Sequence, residues 1–400
     1  MKILIVNKFL YPKGGAETYV FKLGEELSRL GHEVQYFGME DEKRTVGNAI
    51  GAYTTNLDFH TGKLKKILYP FTILYSLEAK NKILQVLEDF QPDVVHINNF
   101  NFQLTPSILY GIRRYRSKSR RKVKIVYTAH DSQLVCPNHL MQNPVSGEKC
   151  QKCLGRNTLP CIKNRCIHGS LLKSILAFIE HEVYRILRTY KIFDIIICPS
   201  YFLKSVLDMD SILREKTTVI HNFVDIQIQQ EIKKEDYVLF FGRYSKEKGI
   251  ENLLKVCEQL PHIPFIFAGS GPLEEKVNNC SNVKNVGFLN GEALYKTIAK
   301  ARFTIFPSEC YENCPFTVME SQIAGTPVIG ANLGGIPELI KENVTGQLFE
   351  SGNIEELKCK IETLWKDKEE QKKLYEGCKN MRFNNLEAYT KKMIHIYESC

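Results

Sequence analysis

Two carboxylates, Glu312 and Glu320, lie in the run Pro307-Ser308-Glu309-Cys310-Tyr311-Glu312-Asn313-Cys314-Pro315-Phe316-Thr317-Val318-Met319-Glu320. The run reads as a strand end, a loop and the opening of a helix, closed by Gly325 before a strand over 326–330. Pro315 suits the start of a helix, where a missing N–H costs nothing, and the amides of Phe316, Thr317 and Val318 then form an anion site at the positive helix end. A diphosphate fits such a site. Glu312 in the loop and Glu320 one to two turns into the helix can face one cleft at different depths and bind two sets of sugar hydroxyls. The same two residues also read as a solvated loop acid and a helix-face ion-pair partner.

A second group, Phe241-Gly242-Arg243-Tyr244-Ser245-Lys246-Glu247-Lys248-Gly249, follows a strand at 237–241. Arg243 offers a planar fork for phosphate oxygens and Lys248 a point charge, so together they can neutralise a diphosphate leaving group. The third group, Lys13-Gly14-Gly15-Ala16-Glu17, is a glycine turn between the first strand and the first helix, where backbone amides can approach phosphate. Tight strand-to-helix turns also use glycine for steric reasons alone.

Positioning these groups requires a scaffold of alternating strands and helices, and the chain has that rhythm. Apolar runs at 3–6, 34–37, 94–97, 125–128 and 195–198 alternate with helical patterns such as 18–30, which Gly31 ends. The runs are apolar on both faces, as parallel strands covered by helices are. A second series occupies 218–221, 237–241, 264–268, 283–286, 303–306 and 327–329. The expected fold is α/β with two Rossmann-like domains facing a central cleft. The first domain, 1–217, carries a Cys-rich insertion at 131–170 and is joined by a C-terminal helix at 385–400. The second covers 218–384, and the polar stretch 225–236 reads as the linker. A length of 400 residues, 44% of them hydrophobic and 25% charged, suits two separate cores.

The Glu312-x7-Glu320 spacing, the Gly-Arg-x4-Lys-Gly run ending at Gly249 and the Gly14-Gly15 turn resemble glycosyltransferase family 4, GT-B enzymes that use nucleotide-activated sugars. Pro92-Asp93-Val94-Val95-His96, Thr128-Ala129-His130-Asp131, Pro199-Ser200, His221-Asn222-Phe223-Val224-Asp225, Ala268-Gly269-Ser270-Gly271-Pro272 and Gly334-Gly335-Ile336-Pro337-Glu338 extend the resemblance along nearly the whole chain. It implies a hexosyltransferase-type enzyme moving sugar from a nucleotide diphosphate donor to a saccharide or lipid-linked saccharide in cell-surface polysaccharide or glycolipid synthesis. It also implies retention of anomeric configuration and no catalytic metal, because fixed cations and helix ends replace the ion. The first domain would be the acceptor side and the second the nucleotide-sugar side, with Glu320 on the ribose hydroxyls, Glu312 on the transferred sugar, and Arg243, Lys248 and the Pro315, Phe316 and Thr317 segment on the diphosphate. Gly14 and Gly15 would close over the phosphates, His130 would sit near the donor sugar, and backbone at Gly287 and Phe288 would meet the base. The chain has Asn313 and Cys314 where the family usually has Gly and Phe, which leaves the donor sugar open. A nucleotide-sugar epimerase of the same two-lobed plan and a non-catalytic nucleotide-sugar-binding regulator are the alternatives; the paired glutamates favour transfer over epimerisation.

Thirteen cysteines and an N-terminal apolar run too short for a secretion signal predict reduced thiols in the cytoplasm. Cys150-x2-Cys153 and Cys161-x4-Cys166 can form a structural zinc cage, with His139 and His168 as substitutes; free thiols or a disulfide are the alternative. No cofactor is expected in catalysis, and Asp208-Met209-Asp210 reads as a surface loop rather than a metal-nucleotide site. The balance of 54 Lys+Arg against 45 Asp+Glu, a charge of +9, favours anionic partners. The basic stretch 113–124, with Lys63, Lys65, Lys66 and the aromatic run 69–75, can lie on an anionic membrane surface, making the protein peripheral; a solvated helix end explains it equally well. No nucleic-acid recognition motif accompanies the charge. The longest apolar stretch, 67–77, contains Pro70 and is flanked by lysines, so no spanning helix is expected.

Overall fold

The computed structural model describes residues 1–56, 72–119, 122–155, 157–226 and 232–399. Lys63, Lys65, Lys66, Tyr69, Arg120, Arg121 and part of the 225–236 stretch therefore lie outside the described residues. Contacts divide the chain into two units, Met1–His221 with Leu386–Cys400, and Asn222–Asn385.

The first unit is built on six parallel strands: β1 (Lys2–Val6), β2 (Glu33–Phe37), β3 (Val94–Ile97), β4 (Lys124–Thr128), β5 (Ile195–Cys198) and β6 (Thr217–Val219). Their order is β2-β1-β3-β4-β5-β6. β3 is buried throughout, and β1, β4 and β5 are buried in all but their first residue, which explains why their sequences are apolar on both faces. The strand expected at 218–221 as the start of a second sheet is in fact β6, which pairs with β5 through Ile196↔Thr217, Ile197↔Thr218 and Cys198↔Val219. The boundary between units accordingly falls after His221, not at 217. Local patterning announces a strand, whereas its partner is chosen by long-range pairing.

The C-terminal helix Leu386–Glu398 belongs to the first unit through a buried polar chain. Tyr389 Oη lies 2.9 Å from Tyr19 Oη, and Tyr397 Oη lies 2.7 Å from Nδ1 of His96. The other ring nitrogen of His96 meets Thr128 Oγ1 at 2.7 Å. Full burial pulls the His96 imidazole down to about 3, so it is neutral and needs both partners. Within the basic stretch, Arg116 grips both carboxylate oxygens of Asp194 at 3.0 Å and Lys124 reaches Ser399 Oγ at 3.0 Å. Arg113, Arg114, Lys118 and Lys122 are exposed.

The second unit carries β7 (Phe223–Val224), β8 (Val238–Arg243), β9 (Phe265–Ser270), β10 (Val283–Gly287), β11 (Phe303–Phe306), β12 (Val328–Ala331), β13 (Gly346–Phe349) and β14 (Asn384–Asn385). Six of these form a parallel sheet in the order β10-β9-β8-β11-β12-β13, while β14 pairs with β7 alone. Phe240, Phe265, Phe267 and Phe303 bury their rings in a core shared with Leu253 and Val256 of the helix Ile250–Gln259 and Leu357 and Ile361 of the helix Ile354–Lys366.

Candidate active site

In the second unit the chain leaves β8 towards β9 and β10 on one side, then returns to β11, β12 and β13 on the other. The loops after β8 and β11 diverge at that topological switch point, the place where open parallel sheets bind ligands. The β8 loop carries Arg243, exposed at the strand's last position, and Lys248 in the tight turn Lys246–Lys248. The β11 loop carries Ser308 and Glu312.

Backbone contacts lock the two loops together. The Glu309 N–H donates to Glu247 O at 2.9 Å, and Gly249, at φ +75°, approaches Pro307 so closely that a Cβ would collide with its carbonyl oxygen. Lys248 consequently forms an ion pair with Glu312, and Ser308 Oγ donates to the same Oε1 at 3.0 Å. Desolvation pulls the Lys248 ammonium down, but the Glu312 carboxylate and smaller contributions from Cys310 and Glu247 together outweigh it and raise the pKa above 10.5, so the lysine is charged. The Glu312 carbonyl is anchored by the Gly335 N–H at 2.7 Å, and Gly334 adopts φ +62° directly against it.

The helix Phe316–Ile323 begins just beyond. Pro315 is its N-cap, one position before the first helical residue, and supplies no side-chain cap. A pyrrolidine has no acceptor, so the amides of Phe316, Thr317 and Val318 are left at the positive end of the helix. Asn222 Nδ2 holds this entry by donating to Cys314 O at 3.0 Å. Glu320 lies inside the helix, and burial pushes its carboxyl up to about 7. Further along the sheet, Gly287 ends β10 at φ +72° with nothing within 4 Å of where a Cβ would stand, and Phe288 beside it is 72% exposed.

The first unit has its own switch point between β1 and β3. The helix after β1 is Gly15–Arg29, opening earlier than its periodicity suggests, with Gly14 extended at φ −170° as N-cap. Neither glycine is in a left-handed conformation, and a Cβ at Gly14 would meet only Glu17 Oε2 at 3.6 Å. The chain itself therefore does not require glycine at position 14, which leaves space at the helix end. His130 follows β4; its Nε2 lies 2.9 Å from Asn98 Oδ1, after β3, and its ring meets Tyr19 edge-on at 5.0 Å. Burial pulls the His130 imidazole down to about 4, so it is neutral near pH 7, with Nε2–H donating to the carboxamide.

Asn98 escaped the sequence reading, and Ser308, Asn222 and the Gly334-Gly335 pair appeared there without a role. Only the doubled glycine was a usable signal. Asp208 and Asp210 have structural tasks: Asp208 accepts from Lys204 Nζ and Thr217 Oγ1, each at 2.5 Å, and Asp210 caps the short helix Ser211–Arg214 through the Ile212 N–H at 2.7 Å. Cys150, Cys153, Cys161 and Cys166 gather around one small cavity. Among the described residues, no three His, Cys, Asp or Glu side chains are already disposed to hold an ion.

Comparison with known proteins decides the family. Residues 13–228, more than half of the chain, match Glycosyltransferase Family 4, and residues 223–381 match Glycosyl transferases group 1. The chain belongs to glycosyltransferase family 4. It is 34% identical over 138 residues to the sulfoquinovosyl transferase SQD2 of Arabidopsis thaliana, a match covering 33% of this chain and 27% of that one. A 42.6 kDa protein in the cps region of Klebsiella pneumoniae is 26% identical over 359 residues, 85% of this chain and 87% of the relative. The crystal structure of Anabaena HepE in complex with UDP superposes with a TM-score of 0.68 at 18% identity, covering 100% of both chains. This family 4 glycosyltransferase therefore has the GT-B fold, each unit with its own parallel sheet. Among its described residues no helix is long and apolar enough to cross a membrane.

The state of Glu320 in the glycosyltransferase has a measurable signature. Its folded pKa of about 7 stands above the ordinary 4.5, so between those values the folded chain keeps a proton that the unfolded chain releases. Stability therefore falls as pH rises through that window, by a contribution on the order of 3 kcal/mol once both states are ionised. Glu320→Gln is expected to be more stable than wild type at pH 8 and equal to it at pH 4 in urea titrations. A stability difference independent of pH would contradict the assignment.

Proposed function

We propose that the chain moves a hexosyl group from a nucleotide diphosphate sugar to a saccharide or lipid-linked saccharide, with retention of configuration and without a divalent metal. The observation that carries this reading is the Lys248–Glu312 pair at the β8/β11 switch point, just before the open amide end of the helix Phe316–Ile323. When the sugar–phosphate bond breaks, negative charge grows on the departing diphosphate. Fixed positive groups already in place stabilise that charge without reorganising. Lys248, Arg243 and the helix amides are such groups, and they take the place that a metal ion has in other transferases.

The remaining residues fit the donor's parts. Glu312, held by Lys248, Ser308 and the Gly335 amide, can accept hydrogen bonds from the transferred sugar. Glu320 lies deeper along the helix and suits ribose hydroxyls, whose hydrogen bonds would favour its ionised form. The open backbone at Gly287 and the exposed Phe288 ring suit a base edge and face. In the first unit, the clear helix end at Gly14-Gly15 suits a phosphate, and neutral His130, held by Asn98, suits a sugar hydroxyl. A UDP complex of HepE supports a nucleotide diphosphate donor, and the cps-region relative supports an acceptor in cell-surface polysaccharide synthesis. Arg113, Arg114, Lys118 and Lys122 remain available for an anionic membrane surface.

Glu312→Gln separates transfer from binding alone. It keeps the volume and removes the charge, so donor turnover is expected to drop by about a hundredfold or more with the fold retained. Unaltered turnover would remove Glu312 from the reaction, and a wild-type protein that binds donor yet never consumes it would be a regulator.

A further inference from the structure

The insertion that follows His130 is organised around sulfur. Among its described residues between 131 and 170 there are a short helix, Leu159–Lys163, and an isolated bridge between Gln142 and Lys149. Cys153, Cys161 and Cys166, each buried and packed on the others, form a sulfur cluster of their own. Leu134, Val135, Met141 and Leu154 of the same segment are buried as well, but regular secondary structure is sparse. The segment nevertheless holds His139, Met141, Arg165 and His168 at left-handed backbone angles between φ +47° and +66°, which persist only when the surroundings over-determine them.

Cys136 completes the group. It is buried, it lines the same cavity of about 10 Å³, and it lies within electrostatic reach of Cys153, Cys161 and Cys166. Its thiol donates to Asn138 Oδ1 at 3.0 Å, and the His139 N–H donates to the Cys136 carbonyl at 2.9 Å, so the loop that follows is folded back around this sulfur. Cys150, on the same cavity, is more exposed, and its sulfur accepts from Asn164 Nδ2 at 3.9 Å.

We propose that Cys136, Cys153, Cys161 and Cys166 bind one structural zinc ion. The cavity of about 10 Å³ has room for a single ion rather than a cluster, and tetrahedral coordination at about 2.3 Å would require the four side chains to turn inward from their present positions. Each binds as a thiolate, its proton passing to water. The set exchanges Cys150 of the spacing-based quartet for Cys136. Zinc at this point fixes the loop carrying His139, whose ring stacks on Phe102 at 5.1 Å, lies 3.7 Å from Asp131 and bonds Asn101 at 2.6 Å. The ion thus stiffens the segment next to His130 and takes no part in group transfer.

The test reads metal rather than activity, so its outcome is independent of the proposed transfer reaction. Full-length protein purified without chelator or added metal is expected to carry about one zinc per chain, released when a mercurial blocks the thiols. Cys150→Ser should keep the zinc and Cys136→Ser should lose it. Because a buried Cys→Ser change can unfold the unit, Co²⁺ is also exchanged into the wild-type chain, where a tetrahedral tetrathiolate gives sulfur-to-metal charge-transfer bands. Reduced wild-type protein that binds neither Zn²⁺ nor Co²⁺, or a native Cys161–Cys166 disulfide, would overturn the site. Zinc retained in Cys136→Ser and lost in Cys150→Ser would overturn this ligand set.

Discussion

Lys248→Ala is expected to lower kcat/KM for the nucleotide-sugar donor by about a thousandfold, which corresponds to about 4 kcal/mol of transition-state stabilisation. Two losses combine in that figure. The departing diphosphate loses a fixed cation, and Glu312 loses the charge that holds its Oε1. The ammonium sits among Glu312, Glu247 and Cys310, which together keep it charged despite burial, so no solvent cation replaces it equally well. Truncation also leaves a half-buried carboxylate without its partner, so a lower thermal midpoint should accompany the lost rate. The double variant Lys248→Met/Glu312→Gln removes both charges and is expected to recover the midpoint without recovering the rate. If steady-state kinetics showed Lys248→Ala within about threefold of wild type, the leaving-group role would be lost.

Gly334→Ala should be almost as damaging although residue 334 carries no chemistry. A Cβ at φ +62° would collide with the Glu312 carbonyl oxygen and stand 3.0 Å from the Glu312 nitrogen. Those are backbone atoms, so no rotamer relieves the contact and the Glu312 loop must shift. The shift strains the 2.7 Å bond from the Gly335 N–H and displaces the carboxylate that Lys248 and Ser308 orient. A displacement of about 1 Å at a reacting centre costs about a hundredfold in rate, and the left-handed alanine with its clash costs about 2–4 kcal/mol of stability. Gly352→Ala is the control: φ is +88° but nothing lies within 4 Å, so it should lose about 1 kcal/mol with unchanged kinetics. Equal behaviour of the two variants in denaturation and turnover would contradict the proposed positioning role.

Both predictions concern residues whose types were legible and whose partnerships were not. Glu312, Lys248 and Arg243 announced anion and sugar chemistry by type and spacing, and the strand–loop–helix reading around Pro315 agrees with the observed elements to within a residue. That Lys248 touches Glu312 across 64 positions, or that Ser308 shares the same oxygen, had no sequence signal. Asn98 was equally silent, because an asparagine after a buried strand looks like any loop residue until His130 is found beside it. The glycines divide in the same way. Gly14 and Gly15 suggested a phosphate turn or a steric one, and only the ordinary backbone angles of both and the space around Gly14 argue against the steric need.

The sequence alone determined the alternation of strands and helices, the α/β class and the charge types available for catalysis, because hydrophobic periodicity, capping and side-chain chemistry are local properties. Tertiary structure alone decided that β6 closes the first sheet, that Tyr397 meets His96 across 301 residues, and that Cys136 joins the sulfur cluster. Each of these depends on which distant segments share a buried volume. That choice follows from the packing of the whole chain and leaves no periodic trace in the residues that make it.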